Sequence, residues 1–161
     1  PERMAFEDLT PLSVGDTAPD IELTDQFGQA FRLSDAVREQ PVVLAFVPAA
    51  FTGTCTSEFC ELRDNLSLFG DKSVRVVGIS CDSKASLRLW GEQEGYDFTL
   101  LSDFWPHGAA ASAFGVFMAD RGIATRATFL VDATMTIRAA FVSSPGEARP
   151  LSAYREALAA L

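Results

Sequence analysis

An unbroken apolar run, Val42 to Val47, ends at Pro48, passes through Ala49-Ala50-Phe51-Thr52-Gly53-Thr54, and delivers Cys55 to the start of a helical pattern. A thiol in the first turn of a helix lies near backbone N–H groups that have no partner within the helix, and near the positive end of the helix dipole. Those surroundings favour the thiolate, the nucleophilic form of cysteine. Thr52, three residues earlier, carries a hydroxyl that can donate to a thiolate and accept from a substrate O–H. Pro48 lacks an N–H and stiffens the strand exit, which helps to hold the loop over the sulfur and to limit water. Turn and cap chemistry alone would also favour these residue types here.

The elements around this segment must position it. Val42 to Val47 does not alternate, as expected for a strand covered on both faces. From Cys55 to Phe69, Phe59, Leu62, Leu66 and Phe69 recur at helical steps, which predicts one amphipathic helix closed by Gly70. Ile21 to Leu23 and Ala30 to Leu33 flank a turn and read as a hairpin, with Ser34 as N-cap of a short helix over Asp35 to Arg38. Val74 to Ile79 is a second buried strand. Ser83 opens a helix with Leu87, Leu89 and Trp90 inward, and Gly95 closes it. Phe98 to Leu101 reads as a strand, and Pro106 to Phe114 as a helix with an early proline. Thr128 to Val131 and Ile137 to Val142 form a hairpin before a helix over Leu151 to Leu161. This order predicts an α/β fold, a central mixed β-sheet with helices on both faces, and the thioredoxin-like architecture fits it best.

The 161 residues, with no repeat or linker tract, are read as a single domain over 1–161. A formal charge of −9 without a local Lys/Arg run disfavours nucleic acid and anionic membranes as partners. The longest apolar stretch is too short to span a bilayer. The acidic N-terminus lacks a hydrophobic h-region, so no retained signal peptide is expected. Three cysteines and one histidine, His107, form neither a disulfide framework nor a metal site. A reducing, cytoplasmic compartment is expected, where cysteines tend to be catalytic, redox-active or buried.

Pro48-x-x-x-Thr52-x-x-Cys55, within Phe51-Thr52-Gly53-Thr54-Cys55-Thr56-Ser57-Glu58, resembles the peroxiredoxin active-site signature. The resemblance extends over VGDTAPDIELTDQFGQ, VVGISCDS, LLSDFWPHGAAASAFGVF and GIATRATFLVD. The last two blocks are most similar to the alkyl hydroperoxide reductase E group. Cys60 resembles the resolving cysteine of the peroxiredoxin Q, or bacterioferritin comigratory protein, group. The resemblance implies that Cys55 is the peroxidatic cysteine, that Thr52 and Pro48 are its pocket partners, and that Arg126 stabilises the thiolate. A nearby cation favours the charged thiol, and a guanidinium fork can also hold a peroxide oxygen. Without the family pattern, Arg126 would read as an exposed residue before a strand. Glu58 resembles a carboxylate of the motif, although a first-turn carboxylate also complements the helix dipole. His107 is given no catalytic part.

The implied function is a thiol peroxidase for hydrogen peroxide and organic hydroperoxides. Its cofactor requirement is none, because sulfur performs the two-electron step. The Cys55 sulfenic acid would condense with a second thiol, from Cys60 or from an outside reductant similar to thioredoxin, glutaredoxin or mycoredoxin. Five helical residues rise about 7.5 Å and turn about 140°. A Cys55–Cys60 bridge, with Cα atoms about 4.4–6.8 Å apart, therefore requires the start of the helix to unwind. The alternative reading of Cys60 is a small buried hydrophobe, and Cys81 is read as a structural thiol. A homodimer is expected through Phe104-Trp105-Pro106, residues that could also be core. The rivals are a disulfide oxidoreductase, which expects C-x-x-C where this chain has C-x-x-x-x-C, and a non-enzymatic redox sensor or chaperone.

Overall fold

Strand β3 (Val42–Phe46) is buried along its whole length, and the two cores of the protein lie on its two faces. Val42, Leu44 and Phe46 join Ile79, Phe114 and Phe129 on one side, while Val43, Ala45 and Val47 join Phe59, Leu62 and Trp90 on the other. Double burial is the physical reason for the non-alternating run. The computed structural model describes residues 6–161. The expectation about the N-terminal segment falls partly on residues 1–5, outside the described residues.

The seven-stranded sheet has the order β2-β1-β5-β4-β3-β8-β9. Here β1 is Glu22–Asp25, β2 Ala30–Arg32, β4 Arg75–Ser80, β5 Thr99–Ser102, β8 Arg126–Val131 and β9 Ile137–Ser143. Strands β3, β4 and β5 run parallel, whereas β1 and β8 are antiparallel to their neighbours, so the sheet is mixed. Helices α1 (Leu33–Glu39), α2 (Gly53–Asp64), α3 (Leu66–Gly70), α4 (Lys84–Glu94), α5 (Ala109–Ala113) and α6 (Leu151–Ala159) complete the α/β fold.

Several local expectations are corrected by the structure. The single helix expected over Cys55 to Phe69 is divided at Asn65, whose side-chain amide donates to the Glu61 carbonyl at 2.8 Å. Such side-chain bonding offers the backbone an alternative to helix. Ser34 lies inside α1 and is not its N-cap. The capping carboxylate comes from Asp20, whose two oxygens accept the Ser34 N–H at 2.9 Å and its hydroxyl at 2.8 Å. Leu89 is half exposed, because it sits about 200° around α4 from buried Leu87. Helix α5 starts at Ala109, where Gly108 adopts φ 72° and the buried Asp103 carboxylate accepts the Ala110 and Ala111 N–H groups, each at 2.9 Å. The structure adds a two-stranded ribbon, β6 (Phe117–Met118) with β7 (Ile123–Ala124), to the expected order.

One glycine fixes the seat of α2. A Cβ on Gly78 of β4 would lie 2.6 Å from the Phe59 ring. Its absence lets Phe59 lie against the sheet and stack on Trp90, with ring centroids 5.3 Å apart.

Candidate active site

Cys55 is the third residue of α2 and is fully buried. Its sulfur accepts a hydrogen bond from Arg126 Nη2 at 3.0 Å. The two residues are 71 apart in sequence, and β3–β8 pairing brings them together, because Phe46 at the exit of β3 faces Ala127, next to Arg126. Arg126 is buried, unlike the exposed residue its sequence context alone would give. Its Nε donates to the Pro145 carbonyl at 2.8 Å, and its Nη1 lies 3.4 Å from Glu58 Oε1.

Glu58, one turn beyond Cys55 and also buried, has a second guanidinium partner that sequence reasoning missed. Arg149 donates to Glu58 through its backbone N–H at 2.6 Å, through Nε at 3.1 Å, and through Nη2. Its Nη1 reaches the Ala127 carbonyl at 2.8 Å and Thr128 Oγ1 at 2.9 Å. Burial opposes the charge on Arg149, but Tyr154 and Glu58 outweigh it and hold the guanidinium above its usual range. Nothing in Glu147-Ala148-Arg149-Pro150 distinguishes this arginine locally from an exposed one.

Charge balance gives the cluster its chemical character. Arg126 and Arg149 are two cations and Glu58 is one anion, so a neutral Cys55 thiol leaves one buried positive charge uncompensated. A Cys55 thiolate closes the balance. Buried charges are tolerated when paired and hydrogen-bonded, and charge-assisted bonds are the strong ones.

The remaining residues of interest are placed as follows. Pro48 is buried at the strand exit. Thr52 is exposed at the N-cap of α2, and its hydroxyl donates to the Ala49 carbonyl at 2.9 Å rather than to Cys55. Cys60 is half-buried on another face of α2, 3.5 Å from Glu94 Oε2 and 3.6 Å from the Tyr96 hydroxyl. All three cysteines are free thiols. His107 directs its ring nitrogens at the Phe104 and Gly122 carbonyls, at 3.0 and 2.7 Å. Phe104 and Trp105 are 52% and 81% exposed, so they are surface and not core. Among the described residues no cluster of His, Cys, Asp or Glu could hold a metal ion, and no helix is long and apolar enough to cross a membrane.

Residues 14–140 match the AhpC/TSA family. The chain belongs to that peroxiredoxin family. It is 45% identical over 150 residues to alkyl hydroperoxide reductase E of Mycobacterium tuberculosis, covering 93% of this chain and 98% of the relative. Peroxiredoxin Bcp of Escherichia coli is 42% identical over 95 residues, 59% of this chain and 60% of Bcp. The crystal structure of peroxidoxin BcpB from M. tuberculosis aligns with a TM-score of 0.80 and 34% identity, over 92% of this chain and 96% of that one. This peroxiredoxin has the thioredoxin-like fold of its structural neighbours and is a thiol-dependent peroxidase.

Cys81 of this peroxiredoxin provides a contrast to Cys55. Burial first, then the neighbouring Asp103 and Asp82 carboxylates, push its thiol up to about 12. The folded state therefore retains the Cys81 proton as pH rises, and the stability linked to it is full below about 9 and lost towards about 12. Iodoacetamide at pH 8.5 is expected to label Cys81 readily in urea and hardly at all in the folded protein. Equal labelling of Cys81 in the two states, by peptide mass mapping, would contradict its burial.

Proposed function

We propose that Cys55 is the peroxidatic cysteine, attacking hydrogen peroxide and organic hydroperoxides as a thiolate. The observation that carries the reading is the buried Arg126 Nη2 to Cys55 Sγ contact at 3.0 Å, within a cluster whose charge balances only when the thiol is ionised. The sulfur displaces alkoxide or hydroxide from the O–O bond and becomes a sulfenic acid, while the departing oxygen takes up a proton. Charge moves from sulfur to the leaving oxygen, so a guanidinium fork beside that path stabilises the transition state more than the ground state. Pro48 shapes the covering loop, and the Thr52 hydroxyl, at the N-cap of α2, is released from Ala49 to meet the peroxide.

Cys60 or an outside thiol then attacks the sulfenic sulfur, giving a disulfide and water. Reduction by a thioredoxin-, glutaredoxin- or mycoredoxin-like protein completes the cycle, and the setting is cytoplasmic. Resolution by Cys60 requires the first turns of α2 to open, because that helix is continuous from Gly53 to Asp64 and the two sulfurs have separate partners. Thr56 holds these turns together with Glu58: its hydroxyl accepts from the Trp90 indole and its carbonyl from the Tyr96 hydroxyl, each at 3.1 Å. Exposed Phe104 and Trp105 supply an apolar surface for a homodimer.

One equivalent of hydrogen peroxide followed by a sulfenic-acid trap is expected to place the adduct on Cys55. Without the trap, a Cys55–Cys60 disulfide is expected by mass mapping. A trapped adduct on Cys60 or Cys81 instead would overturn the assignment of Cys55. Lack of the bridge, with full turnover in Cys60→Ser, would leave an outside thiol as the resolving group.

A further inference from the structure

The segment Cys81-Asp82-Ser83, directly after β4, has no part in the chemistry derived so far, yet it reaches the active-site loop. After Val47 N–H bonds the Ile79 carbonyl at 2.9 Å, the chain leaves the sheet as the loop Pro48–Thr52. That loop includes Phe51 at φ 64°, a left-handed backbone conformation that non-glycine residues rarely adopt. Ala50, buried just before it, donates its N–H to Asp82 Oδ2 at 2.8 Å. The same oxygen accepts the Ser80 hydroxyl at 2.6 Å, and the Asp82 carbonyl accepts the Ser102 hydroxyl at 2.6 Å. The carboxylate is thus fixed to the end of β4, and the Asp82 backbone to the end of β5. Among the described residues it is the side chain that ties this loop to the sheet.

We propose that Asp82 is a positioning residue for peroxide reduction: it holds the Pro48–Thr52 loop, which precedes Cys55, so that a peroxide meets the sulfur with its O–O bond in line. This rests on the reading of Cys55 given above. Asp82 touches neither Cys55 nor Arg126, so its removal alters the placement of the peroxide and not the sulfur–guanidinium pair. Misplacement of reacting atoms by an ångström costs about 10²-fold in rate.

The test compares two rates for Cys55: oxidation by hydrogen peroxide in stopped flow, and alkylation by iodoacetamide, which must pass the same loop but needs no placed O–O bond. Asp82→Ala is expected to lower the oxidation rate constant by about 10- to 100-fold, with alkylation no slower than in wild type. Asp82→Asn keeps an amide oxygen that can accept both bonds, and is expected to recover most of the oxidation rate. Ser80→Ala, which frees the carboxylate without removing it, is expected to give a smaller loss in the same direction, and it serves if Asp82→Ala does not fold. Wild-type oxidation in Asp82→Ala, or in Ser80→Ala should Asp82→Ala be unfolded, overturns the proposal. So does a parallel fall of oxidation and alkylation, or an Asn variant as slow as the Ala one. Cys55→Ser separates the two readings: peroxide reduction persisting in that variant would sink the assignment of Cys55 itself, whereas its loss there with a full rate in Asp82→Ala sinks only the role of Asp82.

Discussion

Cys55→Ser is expected to consume hydrogen peroxide no faster than buffer, a loss of more than about 10³-fold in the second-order rate constant. A serine hydroxyl is not ionised at neutral pH, and its oxygen cannot cycle through an oxidised state as sulfur does. Neither remaining thiol replaces it. Cys81 keeps its proton to about 12 because it is buried beside Asp103 and Asp82. Cys60 faces the Glu94 carboxylate and the Tyr96 hydroxyl, and among the described residues no guanidinium donates to its sulfur. The substitution changes one atom in a packed site but leaves the guanidinium charges unbalanced, so the urea midpoint of the variant is measured beside its activity. A peroxide electrode trace for Cys55→Ser that matches wild type would remove the basis of the proposed mechanism.

Glu58→Ala is expected to destabilise the protein by about 3–5 kcal/mol, the usual consequence of removing one partner from a buried ion pair. Two buried guanidiniums share this carboxylate, and Arg149 alone directs three N–H groups at it. Without Glu58 the cations of Arg126 and Arg149 face each other across an uncompensated gap, and only Cys55 remains to balance them. Urea unfolding should show a lower midpoint with an unchanged slope, as expected when the native state alone is affected. A loss below about 1 kcal/mol would mean that the cluster is solvated, since exposed pairs contribute no more than that. Glu58→Gln preserves shape and some acceptor capacity, so it should fall between wild type and Glu58→Ala.

These two outcomes concern different properties of one cluster. The sulfur supplies the reaction, and the carboxylate between two arginines makes a charged sulfur compatible with a buried site. A carboxylate that at first sight only complements the dipole of α2 is in fact the anion that keeps both guanidiniums in place.

The sequence by itself determined the parts that depend on neighbours a few residues away. The apolar run Val42 to Val47 announced a strand covered on both faces, and β3 has one core on each. Ser83 and Gly95 marked both ends of α4, where the Ser83 hydroxyl accepts the Ser86 N–H and Gly95 takes φ 68°. The P-x-x-x-T-x-x-C spacing placed a thiol in the first turn of a helix at a strand exit, which is local geometry. The family resemblance pointed to Arg126 beside that thiol, whereas the contact itself and the Glu58–Arg149 half of the cluster are tertiary. Arg126 meets Cys55 across 71 residues, and Arg149 meets Glu58 across 91. No local periodicity carries a signal over such distances, because an arginine beside a strand or before a helix reads the same whether buried or exposed. The same holds for the Asp20 cap of α1, the Asp103 cap of α5 and the Asp82 tie to Ala50, each made by a carboxylate from a separate element or loop. Propensity and spacing fix where the chain turns and which face is apolar. Pairing of charges depends on which strands become neighbours, and that is settled only when the sheet closes its order.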